Sequence, residues 1–434
     1  MRDAIVFLTV FGALPFIWKR PAIGVLMFAW LSLMNPHRLT YGAAYDFPFA
    51  TLVAGATLIS LLVTKQPKTL PVTPVTLTLL VFAAWTTVTS MLALEPGLVW
   101  TEWSRVIKTF GMILLSLMAL RTEKDTKALV WVVGLSLGFF GLKGGLFTVM
   151  SGGSSHVFGP EGSYITDNNA LALALVTALP ILWYLHLDAD KKWLRLSFLS
   201  IVVFSVIAAA GSYSRGAMLG GAAMLVFLWL KSQKKMRTGA ALLLVAPLIY
   251  FVMPPEWFSR METIDNYKTD ASALGRINAW GFAANVASQN FFGGGFNTFT
   301  HRMFALYAPD PLNHHAAHSI YFQVLGEHGF VGLFLFLLLM FFGWRTGSRI
   351  NKACKGKPEL RWAGTLSAMC QVSIIGYAVG GAFLTLAYYD LYYYIMSILV
   401  LLERVVRLEQ PAQATVLIAP DEAIAPPALQ VKST

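Results

Sequence analysis

Long apolar runs separated by short polar segments make up most of the chain. A bilayer core needs roughly 20 apolar residues per helix, and fewer where flanking side chains snorkel. We therefore predict an all-α fold, a polytopic transmembrane helical bundle of about 12 spans. The runs cover residues 4–18, 21–34, 48–63, 73–93, 105–120, 128–150, 169–187, 194–210, 214–230, 238–253, 319–343, 365–386 and 389–402.

Lysine and arginine cluster in every second loop, which is how cytoplasmic loops are marked. The loops 35–47, 94–104, 151–168, 211–213 and 254–318 alternate with them and are expected outside, in the periplasm of a Gram-negative cell. The side on which the N-terminus lies stays open, because the first two runs are short. The basic groups are Lys19-Arg20, Lys65 with Lys68, Arg121 with Lys124 and Lys127, Lys191-Lys192 with Arg195, residues 231–237, residues 345–361 and the tail after Arg404.

The long external stretch 254–318 is expected to form a helical periplasmic cap. Apolar residues at Ile277, Trp280, Ala284 and Ala287 predict a surface helix over 271–289, with Arg276 near its start. A C-terminal tail rich in Pro and Ala is typical of disordered chain. The predicted organisation is an N-terminal transmembrane bundle (1–253), the periplasmic segment (254–318), C-terminal transmembrane helices (319–404) and a disordered cytoplasmic tail (405–434).

Composition supports a membrane protein, since 56% of the 434 residues are hydrophobic and only 13% are charged. That leaves too little polar surface for a soluble globule, and membrane lipid is the expected solvent. The net charge of +11 comes from short basic clusters between apolar runs, so no nucleic-acid partner is expected. Cys354 lies in a basic loop and Cys370 in an apolar run, so neither a disulfide nor a cysteine metal site is predicted.

Among the basic residues that run against the positive-inside rule, five are singled out: Arg105, Lys108, Lys143, Arg215 and Arg276. Charges beside hydrocarbon usually face a cavity, a partner or a ligand. Together they would bind an anion at the outer leaflet, and arginine suits phosphate because its planar fork donates two hydrogen bonds. Each one taken alone is equally well explained by snorkelling to headgroups or by pairing with Glu95, Glu102, Glu161 or Asp167.

Three histidines, His314, His315 and His318, stand where the external segment meets the next apolar run. Their spacing allows a shared metal ion, but no carboxylate-bearing metal motif lies nearby, and we predict no metal. A second interpretation is that one imidazole takes a proton from an acceptor hydroxyl. The third is a row of interfacial histidines bonded to water and headgroups, and spacing alone favours it.

An ordered set of motifs on the expected external side resembles the O-antigen ligase and polymerase superfamily. The resemblance covers about residues 150–345. It rests on Gly159-Pro-Glu-Gly-Ser-Tyr164 with Asp167-Asn168-Asn169, Ser212-Tyr-Ser-Arg215-Gly-Ala, Gly275-Arg276-Ile-Asn-Ala-Trp280, Phe292-Gly-Gly-Gly-Phe296-Asn-Thr-Phe299, His318-Ser-Ile-Tyr321 and Glu327-His-Gly329-Phe-Val-Gly332.

The resemblance implies a GT-C-like membrane glycosyltransferase of the bacterial inner membrane, with its active site facing the periplasm and no metal or other cofactor. Such an enzyme moves a glycan from undecaprenyl diphosphate to an acceptor hydroxyl with inversion. Arg215 and Arg276 would hold the diphosphate, and His318 would be the catalytic histidine. The charge pattern alone adds Arg105, Lys108 and Lys143 to the diphosphate site.

Three functions remain after this step. The first is an O-antigen ligase that uses a lipid A–core acceptor in lipopolysaccharide biosynthesis. The second is an O-antigen polymerase or protein O-oligosaccharyltransferase of the same superfamily. The third is a transporter of an anionic substrate, a class that often has internal repeats, and this sequence has no convincing repeat.

Overall fold

The computed structural model describes residues 1–232, 234–262 and 271–408, and its long elements there are all α-helices. Apolar runs fold this way because a helix satisfies its own backbone hydrogen bonds. Two 3₁₀ turns, Pro36–Leu39 and Pro358–Leu360, accompany them. The helices are α1 (Arg2–Lys19), α2 (Pro21–Met34), α3 (Phe49–Val63), α4 (Pro74–Met91), α5 (Pro96–Ala119), α6 (Glu123–Met150), α7 (Asn168–Asp188), α8 (Lys192–Gly211), α9 (Arg215–Lys231), α10 (Lys235–Leu243), α11 (Val245–Val252), α12 (Pro255–Glu262), α13 (Ala271–Gln289), α14 (His301–Tyr307), α15 (Ile320–Cys354), α16 (Arg361–Gly381) and α17 (Asp390–Leu408).

Within the described residues, six helical segments are long and apolar enough to cross a membrane: α4, α6, α7, α8, α15, and α16 with its preceding 3₁₀ turn. The prediction of about 12 spans is therefore too high by this measure. The helices α2 and α3 have only 14 and 15 residues, and the run 238–253 is divided between α10 and α11. The chain is a polytopic helical membrane protein with fewer full-length spans than its apolar runs indicate.

The basic loops meet at one end of the bundle, which we call the basic end. Ion pairs and hydrogen bonds connect loops that are far apart in the sequence. They join Arg20 to Asp125, Arg121 to Thr69 (2.6 Å), Lys127 to Asp188 (3.4 Å) and Arg349 to Glu403 (3.2 Å).

The alternate loops meet at the opposite end, which we call the His318 end. The Arg2 guanidinium donates to the Leu39 carbonyl at 3.3 Å, which places the N-terminus of α1 at this end of the bundle. The other contacts here join Asn168 to the Ser212 carbonyl (2.6 Å), Asn297 to the Leu98 carbonyl (3.0 Å) and Thr300 to Glu95 (2.6 Å).

The helix predicted over 271–289 is present as α13, but the predicted apolar face is only partly correct, with Ala287 buried. Ala279, Phe282, Ala283 and Val286 are fully buried, whereas Ile277 is 50% exposed. The buried face is thus rotated by one residue. Phe282 packs against Phe304 of α14, with ring centroids 4.3 Å apart, and this contact turns the helix away from the predicted face.

The C-terminal boundary also differs from the prediction. Helix α17 continues to Leu408, so residues 405–408 are helical and do not belong to a disordered tail. The rest of the predicted tail, 409–434, lies outside the described residues.

Helix α15 bends at Gly329, whose φ of 67° and ψ of −172° leave the helical region. The Gly294 and Gly295 amides donate to the carbonyls of Gly326 and Glu327, both at 2.8 Å. Trp85 of α4 donates its indole N–H to the next carbonyl, that of His328, at 2.9 Å. The three consecutive carbonyls before the bend therefore find donors outside their own helix.

The segment Gly293–Gly295 forms the turn that packs against this bend. A Cβ on Gly293 would lie 2.5 Å from the Gly329 amide nitrogen, and Gly293 and Gly295 have positive φ angles of 71° and 85°. Only glycine meets both conditions without strain. The three glycines thus allow this segment to approach α15 closely.

Helices α6 and α8 pack closely at Gly145, where a Cβ would lie 2.2 Å from the carbonyl oxygen of Phe204. We expect Gly145→Ala to lower the melting temperature of the detergent-purified protein, because overpacking typically costs about 1–3 kcal/mol. Gly111→Ala in α5 is the control, since no atom lies within 4 Å of its Cβ position. Equal melting temperatures for Gly145→Ala and the wild type would contradict this packing.

Candidate functional site

His318 lies in the loop between α14 and α15 and adopts a left-handed conformation with φ of 42°. Such a conformation costs roughly 1–3 kcal/mol in a non-glycine residue, so the neighbouring contacts must hold it. The Trp280 indole donates to the carbonyl of Ala317, the preceding residue, at 2.9 Å. Trp280 also stacks on Phe322 of α15, with centroids 4.9 Å apart and an interplanar angle of 8°.

Asn278 of α13 attaches the same loop at a second place. Its side-chain amide donates to the carbonyls of Asp310 and Asn313 at 2.9 and 2.8 Å. The Asp310 amide returns a hydrogen bond to the Asn278 side-chain oxygen at 2.8 Å. Three hydrogen bonds from one buried asparagine therefore fix the start of the loop, and Trp280 fixes its end.

Arg276 stands four residues before Trp280 and so lies on the same face of α13. Burial lowers the pKa of His318, and the positive charge of Arg276 lowers it further. Asp167 acts in the opposite direction but is outweighed. His318 is consequently neutral near pH 7 and able to accept a proton.

Asp167 connects His318 to the N-terminus of α7. Its carboxylate caps this helix, accepting from the amides of Asn169 and Ala170 at 2.8 and 3.0 Å. The neighbouring Asn168 donates to the Ser212 carbonyl at 2.6 Å, in the turn that precedes Arg215. The start of α7 thus lies between the His318 loop and the α8–α9 turn.

Arg215 is the first residue of α9, and a tight turn positions it. Tyr213 has a positive φ of 60°, and its hydroxyl donates to the Gly153 carbonyl at 2.7 Å. Ser214 caps α9 by accepting from the Ala217 amide at 3.3 Å. The predicted residues Arg215, Arg276 and His318 therefore all belong to elements that meet around the N-terminus of α7.

Arg105 reaches this region through the loop 159–167. Its guanidinium carbon lies 3.6 Å from the centre of the Tyr164 ring, and the Tyr164 hydroxyl donates to Glu102 at 2.5 Å. Burial and the Glu102 carboxylate raise the pKa of Tyr164 well above its ordinary value, so this hydroxyl stays a donor. Arg105 is thus attached to the loop that ends at Asp167.

Lys108 and Lys143 are both exposed, and among the described contacts neither joins those that connect Arg105, Asp167 and His318. On α6, Lys143 has Phe139 and Phe147 four residues away on either side, and these rings are 39% and 46% exposed. Lys143 therefore lies on an apolar outer surface of the bundle. That position favours snorkelling to headgroups, the alternative recognised from the sequence.

His314 and His315, the neighbours of His318, contact different parts of the chain. His314 bonds the Phe299 carbonyl at 2.9 Å and stacks on His301, with centroids 3.9 Å apart. A Cβ on Gly275 would lie 2.3 Å from the His315 ring, so His315 packs on α13. In the described ranges, no group of three His, Cys, Asp or Glu side chains is arranged to hold a metal ion.

Glu327 has a supporting role in this region. Its carboxylate accepts from the Asn297 amide at 3.1 Å and from the Tyr388 hydroxyl at 2.6 Å. His328 instead pairs with Thr89 of α4, at 2.7 Å. These buried contacts join the glycine-rich segment to the loop before α17. The Tyr388 partner lies 61 residues away, so local spacing carries no signal for it.

An apolar cavity of about 140 Å³ lies between α7, α8, α9 and α11. Because α9 begins at Arg215, this cavity runs along the helix that carries the arginine. Its wall on α9 includes Ala217, Gly221 and Leu225, and Val176 and Ile249 face them from α7 and α11.

Two known families match different parts of the chain. Residues 199–337 match a family described as O-antigen ligase, and this range contains Arg215, Arg276 and His318. Residues 1–189 match a family of unknown function (DUF5935). No curated protein matches the chain. The resemblance found from the motifs is thereby confirmed.

The charges around His318 can be tested by NMR titration of imidazole-labelled protein. We expect Arg276→Gln to raise the pKa of His318, because a neighbouring positive charge disfavours the protonated ring. Asp167→Asn should lower it for the opposite reason. Arg302→Gln is the control, since that side chain is 78% exposed on α14. An unchanged His318 pKa in both test variants would contradict the arrangement, and His318→Gln assigns the signal.

Proposed function

We propose that this chain, whose residues 199–337 belong to the O-antigen ligase family, is a metal-independent inverting glycosyltransferase that attaches O-antigen to lipid A–core. The donor is a glycan on undecaprenyl diphosphate. One observation carries the proposal: His318 is kept neutral by burial and by Arg276 in the part of the chain that matches this family. The His318 end lies opposite the basic loops, which supports a periplasmic active site in a bacterial inner membrane.

The diphosphate leaving group needs its developing negative charge stabilised. Arg215 and Arg276 supply guanidinium forks that suit phosphate oxygens; the Ser214 cap and the preceding turn position Arg215, and helix α13 carries Arg276. Preorganised positive charge of this kind acts without rearrangement at the moment of reaction.

The acceptor hydroxyl is the weaker reactant and needs a base. Its oxygen attacks the anomeric carbon while the bond from that carbon to the diphosphate oxygen breaks. The hydroxyl proton passes to the neutral His318 imidazole, and undecaprenyl diphosphate leaves. A positioned base contributes about a hundredfold to ten-thousandfold in rate.

The apolar cavity supports a lipid-linked donor. It follows α9 from near Arg215, so a diphosphate held by the arginine would have its polyprenyl chain next to an apolar surface. Apolar surface removed from solvent contributes about 25 cal/mol per Å² to such binding.

The direct experiment is lipopolysaccharide ligation in a strain that lacks its own ligase. We expect the wild-type chain to restore long-chain lipopolysaccharide, and His318→Ala, Arg215→Ala and Arg276→Ala each to reduce ligation by about a hundredfold or more. Arg302→Ala, an exposed arginine at the same end, should ligate normally at matched expression.

A wild-type chain that inserts normally and leaves lipopolysaccharide unchanged would overturn the ligase proposal. Longer carrier-linked glycan in that strain would indicate an O-antigen polymerase, and a glycosylated protein would indicate a protein O-oligosaccharyltransferase. Both products can be read from the same cells.

The cavity along α9 gives a second test with purified components. The Cβ position of Gly221 has only Val176 within 4 Å, at 3.9 Å, so Gly221→Leu extends into the cavity. We expect this variant to raise KM for an undecaprenyl donor more than for a short-chain donor. Gly12→Leu on the exposed side of α1 is the control. Equal KM changes with both donors would exclude a chain in this cavity.

A further inference from the structure

An open polar cavity of about 520 Å³ lies at the His318 end, and its lining includes none of Arg215, Arg276 and His318. Its volume falls within the roughly 300–1,000 Å³ of small-molecule sites. We call it the tyrosine cup, and it belongs to the part of the chain that matches a family of unknown function. It is lined by Arg38, Thr40, Tyr41, Gly42, Tyr45, Asp46 and Glu161.

The first turn of α1 holds the cup in shape. Arg2 donates to the Leu39 carbonyl at 3.3 Å and lies 5.5 Å from the centre of the Tyr41 ring. The Asp3 carboxylate accepts from the Ala44 amide at 3.0 Å. The loop that carries the two tyrosines is therefore fixed before any ligand arrives.

Arg38 joins the two halves of the cup. Its guanidinium lies 4.6 Å from the centre of the Tyr45 ring and pairs with Asp46 at 3.1 Å. On the other side, a Cβ on Gly162 would come within 3.2 Å of the guanidinium carbon. The loop 35–47 and the loop 159–167 thus meet at this arginine.

The charges of the cup favour a neutral or cationic ligand. Burial and the charge of Arg38 lower the pKa of the adjacent His37 to about 4, so His37 adds no charge at neutral pH. Among the lining residues, Arg38 contributes one positive charge against the carboxylates of Asp46 and Glu161, a net of −1. A phosphate group would be repelled, whereas hydroxyl groups can donate to the carboxylates.

We propose that the tyrosine cup binds an uncharged or amino sugar of the glycan substrate, outside the pair of sugars that react. The Tyr41 ring is 90% exposed and offers an apolar face, while the carboxylates and Arg38 offer polar partners for ring hydroxyls. This inference rests on the proposed function, because only a glycan substrate brings such sugars to this end.

The loop 159–167 connects the cup to the candidate active site. Hydrogen bonds across the loop make it rigid: the Gly159 amide donates to the Thr166 carbonyl at 3.1 Å, and the Thr166 hydroxyl donates to the Pro160 carbonyl at 3.0 Å. Glu161 lines the cup and Asp167 acts on His318, six positions later in the same loop. A sugar in the cup would therefore position the rest of its glycan relative to His318.

Saturation-transfer NMR on the full chain in nanodiscs tests sugar binding without turnover, with glucose and glucosamine as probes. We expect Tyr41→Ala and Glu161→Gln each to raise the Kd of the bound sugar by about tenfold, as loss of a main contact does at interfaces. Phe158→Ala is the control, because Phe158 is a 63% exposed ring in the same outer region that does not line the cup. Absence of saturation transfer to either sugar, equal affinity in wild type and Tyr41→Ala, or displacement of the sugar by inorganic phosphate would overturn the proposal.

Ligation kinetics then identify the source of the sugar. In Tyr41→Ala we expect a higher KM with unchanged kcat. The KM for carrier-linked glycan rises if the donor occupies the cup, and the KM for rough lipopolysaccharide rises if the acceptor occupies it. An unchanged KM for both substrates would overturn the assignment to the glycan substrate. Sugar binding that is lost in Tyr41→Ala, in a wild-type chain that does not ligate, would support the cup and remove the proposed function, so the two failures are distinguishable.

Discussion

At Gly329 the backbone of α15 leaves the helix, and the carbonyls of the preceding turn take their partners from other parts of the chain. An unpaired buried carbonyl costs about 1–3 kcal/mol, and more where lipid excludes water. The bend therefore depends on three hydrogen-bond donors, which are the Gly294 and Gly295 amides and the Trp85 indole. Since these amides begin the segment that ends at His318, the bend and the α13 contacts together fix where the imidazole lies.

The alternation of the loops between the two ends of the bundle was predictable, because the charge and apolarity of a segment can be read from its own residues. Counting lysines and arginines separates loops that the structure joins at two opposite ends of the bundle. The bounds of α13 were also predictable, whereas its buried face depends on Phe304, a partner that periodicity does not contain. The number of full-length spans was overestimated because an apolar run does not reveal where its helix starts and stops.

Arg215, Arg276 and His318 lie on elements that meet around the N-terminus of α7, and a motif or a misplaced charge marked each of them in the sequence. Their roles stay a prediction. Lys108 and Lys143 carry the same charge signal, yet their exposure differs from that of Arg105, and only packing decides this. The tyrosine cup was missed because Tyr41 and Glu161 are brought together from loops 120 positions apart in the sequence. Arg38 offered a signal, since it too is a basic residue in a loop expected outside the cell.

The loop 159–167 lies in the first family match, while Arg215, Arg276 and His318 lie in the second, and the charge of Asp167 acts on His318. Residues 190–198 separate the two matches and follow Asp188, which pairs with Lys127 at the basic end. This junction therefore lies at the opposite end of the bundle from His318. A chimera joined at this junction would leave the chain near His318 continuous, but it would replace Asp167, Tyr164 and Arg105 together. The electrostatics of His318 therefore depend on residues from both matched parts of the chain, so a substitution in the first part can change the ionisation of a residue in the second.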